Sequence, residues 1–322
     1  MNKMLTAALL AIATGMTQSV AAETWDMPTP YGDATFHTAN IREFARDVSE
    51  RTGGALEITV HSAGSLFKHP EISRAVRGGQ VPIGEFFMPL LTNDNPVFGV
   101  DSLPFLATNY EEAQKLWAAQ KPVIEKLLDQ QNMVALFSVA WPPQGIYTKV
   151  EINSIDDLKG LKFRTNSPTL EQFASLAGAA PTQVEVPDIP QAFSTGRVDA
   201  MLTSPTTGVD SQAWDFLSYY TDTRAWVPKN VVVVNKRAFR ALDEATRNAV
   251  LEAAAAAEAR GWEMSRAETA EKVATMAENG INVVQPSEAL KASLQDIGAQ
   301  MLESWLASAG EEGKAVIDAY RN

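Results

Sequence analysis

Arg164 is the residue of this chain best placed to hold a small anion. It ends a short strand in the stretch Asp156-Asp157-Leu158-Lys159-Gly160-Leu161-Lys162-Phe163-Arg164-Thr165-Asn166-Ser167-Pro168. Gly160 suits a turn, Leu161 and Phe163 share one strand face, and Pro168 closes a polar loop. In an open α/β sheet, ligands bind outside the carboxyl ends of the strands. A guanidinium there offers a fixed fork of donors to a carboxylate or sulfonate. The competing reading is a surface arginine paired with a nearby acid. Ser204 follows a second strand, Val198 to Leu202, expected in the same sheet.

Covalent chemistry has no comparable support. His37, His61 and His69 are the only histidines, too scattered for a metal site, and each reads as a surface or capping residue. No glycine-rich phosphate loop, nucleophile elbow or zinc helix is present. With no cysteine there is neither disulfide nor thiolate. No carboxylate pair stands out by spacing as acid and base. These absences favour a binding protein without cofactor or catalytic residues over an enzyme.

The elements that must position Arg164 alternate along the chain. Met1 to Ala22 combine a basic start, a short apolar run and small residues before Glu23, which reads as a cleaved secretory signal and a periplasmic mature chain. The apolar run is too short to span a bilayer comfortably. No cysteine stands at the cleavage point, so no lipid anchor is expected. About 300 mature residues suggest two lobes. A net charge of −12 argues against nucleic acid or anionic lipid as partner. It also makes a ligand-binding arginine work against the global field.

Helical spacing predicts helices over 35–51, 69–77, 111–131, 169–176, 189–195 and 211–217. Strands are expected at 25–28, 56–60, 81–88, 134–140, 182–186, 198–202 and in the valine run before Asn235. This order predicts an α/β fold with mixed, mainly parallel sheets. The prolines of Trp141-Pro142-Pro143-Gln144-Gly145 mark a strand end or crossover. From Glu244 to Asn279 an alanine-rich stretch reads either as one helix on the order of 50 Å long or as two broken at Gly261.

Five segments taken in order carry a family resemblance: Arg51-Thr52-Gly53-Gly54, Asp101 to Leu106 with its Leu-Pro-Phe-Leu core, Asp157 to Arg164, Thr195-Gly196-Arg197-Val198-Asp199-Ala200, and Pro228 to Asn235. The chain resembles the periplasmic substrate-binding subunits of TRAP transporters over nearly its whole mature length. That resemblance implies a two-lobe periplasmic binding protein fold with crossover strands and one long helix lying over both lobes. It implies lobe I over 23–141 plus about 231–270, and lobe II over 142–230 plus about 271–322. It also implies a ligand cleft that closes by a hinge motion, with Arg164 gripping a ligand carboxylate.

In many members an asparagine stands where this chain has Ser204. Some carry a second arginine after the first crossover, where this chain has none. A monocarboxylate or related hydroxy or keto acid is therefore expected. Gln144, Asn166 and Asn230 are nominated as polar contacts, Phe87 as an apolar contact, Trp141 and Trp226 either as stacking contacts or as core residues, and Tyr31 as a residue closing over the site. Glu85 is either an acceptor for a ligand hydroxyl or amine or a structural hydrogen-bond partner. The implied partners are a small organic acid and the membrane permease subunits, with the receptor itself a monomer. A periplasmic ligand sensor and a secreted hydrolase or lyase are the alternatives.

Overall fold

The computed structural model describes residues 22–322, so the signal segment read at 1–22 lies outside the described residues except for Ala22. Alternating burial starts the chain: in β1 (Glu23–Pro28) Trp25 and Met27 are buried and Asp26 is exposed. Helix α1 (Phe36–Thr52) turns Phe36, Ile41, Phe44 and Val48 inward and ends at Gly53 in the left-handed region, φ 61°. Then come β2 (Leu56–His61), α2 (His69–Arg77) and the fully buried β3 (Ile83–Phe87). Short 3-10 turns follow at Met88–Leu91 and Pro96–Ser102. Helix α3 (Tyr110–Gln130) is capped by Asn109, whose side chain accepts from the amide of Glu112. β4 (Met133–Ala140) completes this part of the first lobe.

The second lobe opens with β5 (Gly145–Thr148) and β6 (Lys162–Thr165), followed by α4 (Pro168–Leu176), β7 (Ala180–Gln183) and α5 (Ile189–Ser194). β8 (Ala200–Thr203), α6 (Pro205–Asp210) and β9 (Tyr219–Thr221) complete the run. The expected helix at 211–217 is corrected. The helix starts earlier, because Ser204 caps it with Pro205 in its first turn, and it ends at Ser211, leaving one 3-10 turn at Ala213–Asp215. The chain returns through β10 (Lys229–Asn235) and α7 (Lys236–Ala241) to the long α8 (Glu244–Glu278), then β11 (Asn282–Val284) and α9 (Glu288–Arg321). Gly310 breaks α9 with non-helical angles.

Two sheets form the lobes' centres, in the orders β3-β10-β4 and β11-β9-β5-β8-β6-β7, and β1 pairs with β2 at the side of the first lobe. The ladders are mixed rather than mainly parallel. The β1, β6 and β11 pairings are parallel, whereas every pairing of the crossover strands β5 and β10 is antiparallel. β10 is buried along its full length between β3 and β4, as a valine run of that kind requires. The crossovers also bind each other. Trp141 N–H donates to Pro228 O at 2.8 Å, Gln144 N–H to Trp226 O at 3.0 Å, and Ala225 N–H to Gln144 O at 2.9 Å.

α8 is one helix lying over both lobes, packing on α1 and β4 of the first and on α6 and β11 of the second. Gly261 is therefore not a break. A Cβ there would lie 2.5 Å from Val139 Cγ2 and 2.7 Å from Asn40 Nδ2. The neighbouring turn is pinned as well, with Asn40 Nδ2 donating to Ala257 O at 2.9 Å and Arg260 Nε donating to Asn40 Oδ1 at 2.8 Å. Helix propensity alone favours alanine over glycine by about 1 kcal/mol, but overpacking a fixed contact costs about 1–3 kcal/mol. Gly261→Ala is expected to lower the urea midpoint of unfolding; a raised midpoint would show that the contact yields. α9 also joins the lobes, packing on α3 of the first and α4 of the second, although the domain reading gave 271–322 to the second lobe alone.

Candidate functional site

β6 carries Arg164 between β8 and β7, in register with Met201 and Thr182. Its neighbour Phe163 enters the core with Phe173 and Leu170, so the strand's alternation sends Arg164 to the opposite face. There the guanidinium is fully buried. Nε donates to Val184 O at 2.9 Å, which fixes the plane of the fork, while Nη1 and Nη2 have no hydrogen-bond partner among the described residues. Burial pushes its pKa down to about 10, with the charge of Glu185 opposing the shift. The group remains a cation at neutral pH. A buried cation with two idle donors is costly unless something anionic joins it.

The space beside it is a small pocket between the lobes. Tyr31, His69 and Phe87 wall it from the first lobe, and Trp141, Gln144 and Pro228 come from the crossovers. The second lobe supplies Arg164, Asn166, Glu185, Val186, Thr203, Ser204 and Thr207. Seven of the ten nominated residues thus line one cavity: Arg164, Ser204, Trp141, Gln144, Asn166, Phe87 and Tyr31.

Their free hydrogen-bonding capacity differs. Gln144 gives one amide N–H to Pro142 O at 2.7 Å and keeps Oε1 free of protein bonds among the described residues. Asn166 likewise lies on the wall with no side-chain bond to the described residues. Ser204 is largely committed: its Oγ accepts from the Thr207 amide at 3.0 Å as the α6 cap and donates to Thr207 Oγ1 at 3.1 Å.

The other three nominations do not line the cavity. Trp226 is a core residue, packed edge-to-face on Phe173 with ring centroids 5.7 Å apart. Glu85 and Asn230 stand behind the wall rather than on it. Glu85 accepts from Thr29 Oγ1 at 2.6 Å and from Asn230 Nδ2 at 2.9 Å, and meets His37 Nδ1 at 3.2 Å. Burial raises its pKa, but His37, Thr29 and Asn230 more than offset that and hold it below the ordinary value. Asn230 Oδ1 accepts from Tyr31 Oη at 3.1 Å and from Trp141 Nε1 at 2.9 Å. Asn230 thereby orients the wall's Tyr31 and Trp141, and every side-chain polar atom of the two residues is already engaged within the protein.

Two histidines are also corrected from surface positions. His37 is buried, with ring centroids 4.2 Å from both Phe36 and Trp141. His69 opens α2 at the cavity wall. Its Nε2 accepts from the Phe87 amide at 2.9 Å, so the proton sits on Nδ1, which donates to Glu185 Oε2 across the cleft at 3.2 Å. Sequence reasoning missed His69 and Glu185 as wall residues. They meet only when the lobes do, and no spacing along the chain signals it. A second bond across the cleft, Thr35 Oγ1 to Asp210 Oδ2 at 2.7 Å, accompanies this one.

The arrangement can clamp one carboxylate and enclose a small body, and it contains no nucleophile activated by a base. Among the described residues, no group of three metal-ligating side chains occurs and no helix is long and apolar enough to cross a membrane. Known proteins share this fold. A Bordetella pertussis extracytoplasmic solute receptor, DctP7, described as binding pyroglutamic acid, is 48% identical and superposes with a TM-score of 0.93 over 94% of this chain and 100% of its own. A marine metagenome TRAP solute-binding protein, described as specific for pyroglutamate, is 42% identical with a TM-score of 0.92, covering 93% of this chain and 99% of that one. A "Solute-binding protein" of Albidiferax ferrireducens is 24% identical over 271 residues, 82% of this chain and 80% of its own length. Residues 30–308 match the family of bacterial extracellular solute-binding proteins, family 7 (DctP), and the chain belongs to that family, the solute receptors of TRAP transporters.

Proposed function

We propose that this receptor captures pyroglutamate, or a close monocarboxylate relative, and presents it to the membrane permease of a TRAP transporter in the periplasm. The observation that carries the reading is the buried Arg164 guanidinium with Nη1 and Nη2 unpartnered at a small cavity between the lobes. Pyroglutamate joins one carboxylate to a five-membered lactam ring. The carboxylate takes the two idle donors as a bidentate pair. The lactam N–H and C=O then face the carboxamides of Gln144 and Asn166, which have acceptor and donor capacity left, and the ring methylenes lie against Trp141 and Phe87. Two relatives above 40% identity that bind this compound support the same ligand.

Titration calorimetry with L-pyroglutamate tests the proposal. One site per chain is expected. The melting temperature should also rise with ligand concentration, since binding to the folded state stabilises it by RT ln(1 + [L]/Kd). Absence of heat and of any melting shift at millimolar ligand would rule this ligand out. A thermal-shift panel of hydroxy, keto and sugar acids would then find the replacement.

A further inference from the structure

Arg164 is not the only charge on the cavity wall. Glu185 stands on the same lobe, one residue beyond Val184, whose carbonyl holds the arginine's Nε. Its carboxylate accepts from His69 Nδ1 at 3.2 Å and from Gln183 Nε2 at 3.3 Å, and it is only 23% exposed. It does not pair with Arg164, whose two terminal nitrogens stay free. His69 cannot serve as a second cation while its Nε2 accepts the Phe87 amide. The wall's titratable side chains are Tyr31, His69, Arg164 and Glu185. At neutral pH they sum to one positive and one negative charge, with Glu85 a further buried anion in the next layer. Burial raises the pKa of Glu185, but His69 and Arg164 outweigh it and hold it below the ordinary value, so the carboxylate stays charged.

From this balance we infer that Glu185 restricts the cavity to ligands carrying a single negative charge. A monoanion finds Arg164 uncommitted and places its neutral end near Glu185. A dianion of the same size must bring its second carboxylate close to the Glu185 carboxylate, with no cation left to compensate. Glu185, His69 and Val186 also wall an outer groove with Lys68 and Asp188. The acid therefore stands between that groove and the cavity.

This inference rests on the small-anion reading above but not on pyroglutamate itself. Glutarate, a dianion of similar reach, and monomethyl glutarate, its monoanion, are titrated calorimetrically into the wild-type receptor and into Glu185→Gln and Glu185→Asp. Wild type and Glu185→Asp are expected to prefer the monoester by at least about tenfold, the scale of one uncompensated charge contact. Glu185→Gln is expected to gain at least about tenfold more in glutarate affinity than in monoester affinity. Equal affinity of wild type for glutarate and its monoester overturns the inference without any variant. So does a folded Glu185→Gln, judged by circular dichroism, with unchanged glutarate affinity. Failure to bind pyroglutamate would leave this comparison intact, so the two claims fail separately.

Discussion

Arg164→Ala is expected to weaken binding of the carboxylate ligand roughly thirtyfold to several-thousandfold, about 2–5 kcal/mol. The substitution leaves the ligand's charge enclosed by the lobes without a counterion. The informative half of the experiment is the ligand-free protein. A guanidinium that stabilised the fold would cost stability when removed. Arg164 makes one bond, to Val184 O, and buries two idle donors. Losing that bond costs about 1 kcal/mol, and removing the stranded charge offsets it. The ligand-free unfolding midpoint of Arg164→Ala should thus stay close to wild type while calorimetric affinity collapses. Arg164→Lys keeps the charge but not the fork and should fall between the two. A severe loss of ligand-free stability, or an unchanged dissociation constant, would remove the arginine from the binding role.

The opposite behaviour is expected at the other fully buried basic residue. Lys229 opens β10, and its Nζ lies 3.0 Å from Asp101 Oδ2, both side chains wholly buried. This is a charge contact short of hydrogen-bond geometry, backed by the Lys229 amide, which donates to the same carboxylate oxygen at 3.0 Å. Ser102 Oγ donates to the other oxygen at 3.3 Å, and the ammonium stands 5.9 Å from the Trp117 ring centroid. Burial pulls both groups toward neutrality, raising Asp101 and lowering Lys229, while each partner's charge opposes the shift. Asp101→Asn strands the ammonium and should cost about 3–5 kcal/mol. Asp101→Asn combined with Lys229→Met should recover most of that, because the desolvated charge is gone. Urea unfolding of the single and double variants measures this. A double variant as unstable as the single one would mean that shape rather than charge holds the site.

Much of this was readable from residue order because it depends on local rules. The Leu-Lys-Phe-Arg alternation put Arg164 opposite the core, and the valine run announced a strand buried on both faces. The alanine-rich stretch from Glu244 was legible as helix but not as one helix. Gly261 is a poor helix former whose reason is Val139, more than a hundred residues away. The site divided the same way. Seven residues nominated at strand ends, crossovers and the first loop stand on the cavity wall. Glu85 and Asn230 were nominated as ligand contacts, but each bonds partners brought in from elsewhere in the fold. His69 and Glu185 were missed because an interlobe contact has no periodicity.

Asn230 has a mechanical meaning beyond its hydrogen bonds. It stands two residues past the second crossover, pairs with Phe87 on β3, and ties Tyr31 and Trp141 through one side-chain oxygen. Three parts of the cavity wall are thereby fastened to one strand of the first lobe and travel with it as a stiff lid. Arg164, Asn166 and Glu185 ride on the other lobe as the cup. A hinge opening would lift the lid whole and leave the guanidinium in the cup. An incoming anion would then meet the charged half first, with the aromatic half following to shut out water.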